Sequence, residues 1–448
     1  MKKLFGTDGM RGLAGVFPLD EKTIEIIGNS LARQFREKLR RKPRFITGRD
    51  TRESGAWIET AFCQGAEAAG AHCQSAAIIT TPGVAFLTKE FDFDAGIVIS
   101  ASHNPFADNG IKIFLPTGKK IDEAIEKEIE KDVFESSRFQ IPDSKFKVEN
   151  SKAVEMQNQY LNYLAGEFET LSLENFKMVI DCANGAASSL APKLFQKFGA
   201  KVVAFNCEPT GRNINENCGS LHLENVQKKV LEEKADFGVA FDGDADRSLF
   251  VDEKGNLVDG DAVLWIMANH LQAGGKLNNQ TIVATVMSNI GLEISLNSKN
   301  IKLLRTAVGD RYVLQELLKT DSSIGGEQSG HIIFPNKSLV GDGLITTLFL
   351  LEALRENDKT LSEMTAGFSR FPQILVNVKV KEKRPFEEIA EIAEAAAKIE
   401  NQLGCKGRLL LRYSGTENLA RVMIEGENQA EIEAQANHLA EVIRKSLS

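Results

Sequence analysis

Three times along the chain an apolar strand, an amphipathic helix and a second apolar strand follow one another, and this order leaves few folds open. The first run is "RFITGRDTR", the helical "AWIETAFCQGAEAAGA" and "CQSAAIITTPGVAFL". The second, "KMVIDCANGAASSLAPKLFQKFGAKVVAFN", predicts strands over Lys177 to Asp181 and Lys201 to Asn206 around a helix. The third is "TIVATVMSNIGLEISLNSKNIKLLRT". Strand–helix–strand units build parallel sheets with helices on their faces, so the chain reads as three α/β domains of related build. After "RFPQILVNVKVKEK" the order changes to a helix predicted over Pro385 to Leu403, the strands "RLLLRYS" and "ARVMIEG", and a last helix, which describes a smaller α+β domain. Boundaries are expected in the polar stretch around Pro142, after Val251 at the turn "DEKGN", and ahead of the final strand–helix set. The resulting segments are 1–150, 151–254, 255–370 and 371–448.

The 448 residues suffice for several cores. With 54 basic and 62 acidic residues the net charge is −8, which excludes a broad electrostatic footprint for nucleic acid and requires a local cationic pocket for any anionic ligand. Cys63, Cys73, Cys182, Cys207, Cys218 and Cys405 show no CxxC spacing, so neither a zinc site nor a disulfide framework is expected. No stretch approaches the ~18 apolar residues of a membrane span. The expectation is a reduced, cytoplasmic protein without membrane partners.

Ligands gather beyond the carboxyl ends of strands in open α/β sheets, and four polar loops stand at such places. "AGIVIS" delivers Ser102, His103 and Asn104, then Lys112. Ser102 suits an activated nucleophile, with His103 and Lys112 as proton-handling or anion-stabilising neighbours, although residue type alone favours a turn serine with a capping role. No G-x-S-x-G elbow surrounds it, which argues against a serine hydrolase. "FGVAFDGDADRSLF" ends a strand in Asp242, Asp244 and Asp246, then Arg247. Three carboxylates at alternate positions repel one another unless they share a hard cation, so a divalent metal is expected. An EF-hand fails because Arg247 stands where that loop needs glycine, while an aspartyl phosphatase using Asp242 as nucleophile stays open. "IGGEQSGHIIFP" sets Glu327, Ser329 and His331 at alternate positions, a row of donors and acceptors suited to sugar hydroxyls or else an incidental glycine-rich hairpin. "RLLLRYSGTENLARV" offers Arg412, Ser414, Gly415, Thr416 and Arg421, a phosphate cradle or a plain hairpin turn, without the ending of a Walker loop.

As an ordered set, "GTDGMRG", "SASHNP", "DGDADR", "GGEQSGH" and "RYSGTEN" resemble the α-D-phosphohexomutase family over the whole chain. Within it, "GTDGMRG", "NENCGSLH" at 215–222 and the glutamine of "GGEQSGH" look like the bacterial branch acting on amino-sugar phosphates. The resemblance implies four domains around a central cleft, three of kindred α/β build and a smaller last one. It implies that Ser102 carries a phosphoryl group, and that Asp242, Asp244 and Asp246, with a phosphoserine oxygen, hold one Mg²⁺ per chain. Arg11, His103, Lys112 and Arg247 match positions around the transferring group. Glu327, Ser329 and His331 match the sugar site, and Arg412, Ser414, Gly415, Thr416 and Arg421 match the clamp for the distal phosphate. The implied reaction interconverts glucosamine 6-phosphate and glucosamine 1-phosphate through a sugar 1,6-bisphosphate, on the route to UDP-N-acetylglucosamine. A family member acting on mannose or glucose phosphates, or a non-catalytic sugar-phosphate-binding protein, is the alternative. Two residues depart from the family pattern: Ala245 stands where glycine is commoner and Asn418 where proline is frequent. The alanine is expected to need only ordinary backbone angles.

Overall fold

The computed structural model describes residues 3–135, 148–414 and 418–447. They form two compact units, one of residues 1–287 with 303–366 and one of 288–302 with 367–448. No helix among the described residues is long and apolar enough to cross a membrane.

The first unit holds three sheets. Strands β1 (Met10–Leu13), β2 (Arg44–Arg49), β3 (His72–Ile78), β4 (Ala95–Ile99) and β5 (Asp108–Phe114) lie in the order β1-β5-β4-β2-β3. β4 runs parallel to β2 and antiparallel to β5. Its five residues AGIVI are all buried, as expected of a strand covered on both faces. Helices Glu21–Leu39 and Gly55–Ala68 pack in backbone contact, and a Cβ at Gly65 would stand 1.9 Å from the Glu25 carbonyl oxygen.

The second sheet repeats the plan. Strands β6 (Lys177–Asp181), β7 (Lys201–Phe205), β8 (Phe237–Phe241), β9 (Ser248–Asp252) and β10 (Leu257–Val258) lie in the order β10-β9-β8-β6-β7, with β8 parallel to β6 and antiparallel to β9. The turn "DEKGN" is a hairpin: Asp252 N–H donates to the Asn256 carbonyl at 3.0 Å and β10 pairs back on β9. The sheet therefore continues to Val258. The third sheet, of β11 (Thr281–Thr285), β12 (Lys302–Thr306), β13 (Gly325–Gly326) and β14 (Ile332–Ile333), is a shorter version in the order β12-β11-β13-β14. β13 is again parallel to its inner neighbour and antiparallel to the strand that follows it.

In the second unit β15 (Gln373–Lys379), β16 (Arg408–Tyr413) and β17 (Leu419–Glu425) make an antiparallel sheet ordered β15-β17-β16. Ile392 and Ile399 from one helix and Leu439 and Ile443 from the last bury against Val422 and Ile424. The helix predicted from Pro385 begins at Ala390, because Ile389 is extended (φ −110°, ψ 103°) and separates it from a short 3-10 turn at Phe386–Glu388.

Candidate active site

The β4–β5, β8–β9 and β13–β14 connections occupy the same place in three related sheets, and they carry the first three polar loops of the sequence. Where β4 ends, the Ser100 hydroxyl accepts the Ser102 N–H at 2.9 Å, and Ser102 turns left-handed at φ 55°. That turn directs the Ser102 hydroxyl, which is buried, to Asp242 Oδ2 at 2.5 Å across 140 residues of sequence. His103 Nδ1 lies 3.2 Å from the same hydroxyl.

Around this contact the charges interleave. Lys112, 1% exposed on β5, donates to Asp244 Oδ2 at 2.8 Å and Asp246 Oδ2 at 2.9 Å, and pairs with Asp8 at 3.2 Å. Asp8 also pairs with Arg11 and Lys120, and Lys120 reaches Asp310 at 2.5 Å. Burial would raise the Asp8 carboxyl, but Lys112, Lys120 and Arg11 hold it well below the usual range. Lys112 is likewise kept protonated: burial disfavours its charge, and Asp244, Asp246 and Asp8 outweigh burial. Arg247 pairs loosely with Asp246 at 3.9 Å, while its backbone N–H donates to Asp242 Oδ1 at 3.2 Å.

Asp242, Asp244 and Asp246 each present an oxygen within 4.8 Å of the others. Burial and the charges of Asp246 and Asp244 push the Asp242 carboxyl well above its ordinary value. Asp244 Oδ1 and Asp246 Oδ1 are buried without a hydrogen-bond donor within 3.5 Å among the described residues, His331 Nδ1 standing 3.6 Å from the latter. A hard cation would relieve both conditions, so these residues fit a divalent metal. His103 is lowered to about 4 by burial and by Arg247 and Arg11, and it is therefore a neutral base at neutral pH.

His331 belongs to the acidic cluster: Nδ1 faces Asp246 at 3.6 Å, while Nε2 accepts the Gly341 N–H at 3.1 Å. Glu327 and Ser329 are half-buried, and Glu327 Oε1 accepts the Gly309 N–H at 3.2 Å. In the second unit Arg412 and Arg421 sit directly opposite on β16 and β17. Burial and Arg421 lower the Arg412 guanidinium, a like-charge pairing that an anion would stabilise. Ser414 is buried at the end of β16, and Lys383 Nζ donates to its carbonyl at 2.7 Å. Gly415 and Thr416 lie outside the described residues.

One expectation is corrected. Ala245 does not have ordinary angles: its φ is 55° in a fully buried position. Its N–H closes a turn on the Asp242 carbonyl at 3.1 Å while its own carbonyl accepts the Gly343 N–H at 3.0 Å, and this rapid reversal demands a left-handed residue. Sequence reasoning also passed over Asp8, Lys120, Thr81, Arg52 and Asn215. Asp8 and Asn215 stand inside the quoted motifs "GTDGMRG" and "NENCGSLH", whereas Lys120 and Thr81 carry no local signal.

Models of the phosphoglucomutase/phosphomannomutase family match four successive segments: alpha/beta/alpha domain I over residues 2–139, domain II over 158–255, domain III over 259–371, and the C-terminal domain over 375–442. A phosphoglucosamine mutase of Solibacter usitatus is 46% identical over 446 residues, covering 100% of this chain and 99% of that protein. Among solved structures, a phosphoglucomutase/phosphomannomutase family protein from Burkholderia thailandensis superposes with a TM-score of 0.80 at 23% identity, covering 100% of this chain and 98% of that one. N-acetylphosphoglucosamine mutase of Aspergillus fumigatus, solved with GlcNAc-6P and magnesium, gives 0.67 at 17% identity, covering 100% and 96%. The three related sheets, the smaller antiparallel unit and these matches lead to one conclusion: the chain belongs to the phosphoglucomutase/phosphomannomutase family and is a phosphohexomutase, an isomerase.

Proposed function

We propose that the protein interconverts glucosamine 6-phosphate and glucosamine 1-phosphate through a phosphoryl group carried on Ser102 and a bound 1,6-bisphosphate. The observation that carries this reading is the buried Ser102 hydroxyl, 2.5 Å from Asp242 in a carboxylate triad fit for a cation. The 46% identity to a phosphoglucosamine mutase supports the choice of sugar.

In the first transfer a sugar hydroxyl oxygen attacks phosphorus, a new P–O bond to the sugar forms, and the bond to Ser102 Oγ breaks. The hydroxyl proton passes to a base and the serine oxygen regains one. His103, neutral and 3.2 Å from Ser102 Oγ, is in reach to hold that proton. Lys112 and Arg247, with Arg11, supply fixed positive charge where the phosphoryl oxygens gather. The bisphosphate then turns end for end, and its other phosphoryl group returns to Ser102. Asp242, Asp244 and Asp246 would hold Mg²⁺, which when bound neutralises charge on the phosphoryl oxygens. Arg412 and Arg421, with Ser414, Gly415 and Thr416, would clamp the phosphate that is not reacting. Glu327 beside Ser329 offers a carboxylate that an ammonium pairs with more strongly than a hydroxyl does. The product would feed synthesis of UDP-N-acetylglucosamine in the cytoplasm.

Intact mass of the purified protein should show a fraction heavier by one phosphoryl group, mapping to Ser102. Glucosamine, glucose and mannose 6-phosphates are then compared with phosphorylated enzyme, Mg²⁺ and a bisphosphate primer. The amino sugar should lead in kcat/KM by at least about tenfold, or about 1.4 kcal/mol. A lead for glucose or mannose overturns the substrate, and a phosphoryl group trapped on Asp242 overturns the nucleophile.

A further inference from the structure

Ser102 holds a left-handed angle, φ 55°, which a residue with a Cβ adopts only against steric resistance. Such an angle persists only where the surroundings impose it. The hydroxyl contact to Asp242 is one constraint, but it acts on the side chain. The backbone is held from behind, through the carbonyls of Ser102 and Asn104.

Two side chains supply four hydrogen bonds to those two carbonyls. Arg52 Nη2 donates to Ser102 O at 3.2 Å and Asn104 O at 2.6 Å, and Asn215 Nδ2 donates to the same oxygens at 2.9 and 3.0 Å. Arg52 is 1% exposed, and its other arm pairs with Asp50, which also accepts the Arg52 N–H at 2.9 Å. Asp50 N–H in turn donates to Ile99 O at 3.1 Å, which pins the guanidinium to the ends of β2 and β4. Asn215 approaches from the second sheet's side, and the two segments are tied where Glu53 N–H donates to Gly211 O at 2.9 Å. The remaining side of the Ser102 carbonyl is closed by Gly243, where a Cβ would stand only 2.5 Å away.

We infer that Arg52 and Asn215 are positioning residues that hold the Ser102 loop in its left-handed turn, so that Oγ stays aligned for phosphoryl transfer. Arg52 spends its charge on Asp50 and on backbone oxygens, unlike Lys112 among the carboxylates. Neither residue needs to touch the sugar. Losing the clamp lets Ser102 relax toward φ below zero and carries Oγ away from Asp242, which slows transfer without weakening substrate binding. This inference rests on the reading of Ser102 as the phosphoryl carrier.

The test uses the full-length protein, glucose 1,6-bisphosphate as phosphoryl donor and rapid quench with intact-mass readout of Ser102 phosphorylation. Asn215 itself sits at φ 57°, so Asn215→Gly keeps the backbone angle without steric cost and removes the side chain with its amide donor. Arg52→Lys keeps a cation beside Asp50 but lacks the second arm of the fork, whose Nη2 bonds both carbonyls. Both variants should phosphorylate at least about tenfold more slowly, with kcat falling alike, KM within about threefold of wild type and the thermal transition of Asn215→Gly within a few degrees. A wild-type phosphorylation rate in Asn215→Gly, a loss confined to KM, or a loss that only follows global unfolding in both variants overturns the inference. If wild-type Ser102 accepts no phosphoryl group from the bisphosphate, the proposed function fails instead.

Discussion

In the first sheet β4 runs into the Ser102 loop and the chain returns as β5; in the second, β8 runs into Asp242–Arg247 and returns as β9. The plan is shared, but the loops are held by different means. The carbonyls of Ser102 and Asn104 receive side-chain donors, Arg52 and Asn215. Carbonyls of the acidic loop receive backbone donors: Ala186 N–H to Gly243 O at 2.8 Å, Thr81 N–H to Asp244 O at 3.0 Å and Gly343 N–H to Ala245 O at 3.0 Å. One scaffold thus offers the same rim position twice, and the residues around it decide what each position does. The acidic loop's carbonyls are held by backbone donors while its carboxylates meet the side chains of Thr81, Lys112 and Ser102, and the carbonyls of Ser102 and Asn104 are held by side chains.

The sharpest way to break this comparison is to remove what distinguishes the first loop. Ser102→Ala should lower kcat on the order of 10³-fold or more, read in a coupled mutase assay, and abolish phosphorylation of the protein. Near-normal turnover would mean that the two loops do not divide the work as proposed.

Next in size is the cation that joins the loops. Lys112→Met leaves Asp8, Asp244 and Asp246 without their shared buried partner, and breaking such a pair costs about 3–5 kcal/mol. Urea unfolding should show the loss. A smaller loss would assign the loop's shape to its backbone bonds alone.

The third prediction concerns the helix whose first N–H holds the acidic loop. Its N-cap Asp342 is raised to about 6 by burial, although the Tyr160 hydroxyl at 2.7 Å and the Ile345 and Leu344 N–H groups partly offset it. The folded state then binds the proton more tightly than the unfolded one, whose carboxyl titrates near 3.8. This contribution is most favourable below pH 4 and is lost as pH rises through 6, about 3 kcal/mol at most. Asp342→Asn keeps the cap acceptor and should flatten that part of the pH–stability curve. Identical slopes for the two proteins would refute the assignment.

The smallest effect belongs to Ala245. Ala245→Gly relieves a left-handed alanine and should stabilise the protein by up to about 1 kcal/mol, less the added freedom of the unfolded chain. Destabilisation would show that the methyl group packs better than the angle costs.

Much of the fold was legible because periodicity survives in one dimension. The all-apolar β4 and β8, and the helices between strands, announce themselves by hydrophobic pattern, and the polar residues after them mark strand ends. The turn at Asp252–Asn256 was legible as a turn, but that it closes a hairpin with β10 back on β9 was not, because a turn signal does not say which strand lies beyond it. Thr81 and Arg52 were invisible for another reason. Each acts through a partner far along the chain, Thr81 on Asp244 and Arg52 on Ser102.

The sequence by itself determined the three repeated α/β units, the smaller last one, and which loops would carry the serine, the aspartates, the Glu327–Ser329–His331 row and the arginines, because composition and spacing are local properties. Only the tertiary structure decided that Ser102 meets Asp242, that Lys112 neutralises Asp244 and Asp246, that His331 turns to the acidic cluster, and that Ser102 and Ala245 are left-handed. The physical reason is that burial and charge pairing depend on which groups share a low-dielectric space, and backbone angles on where the chain must go next.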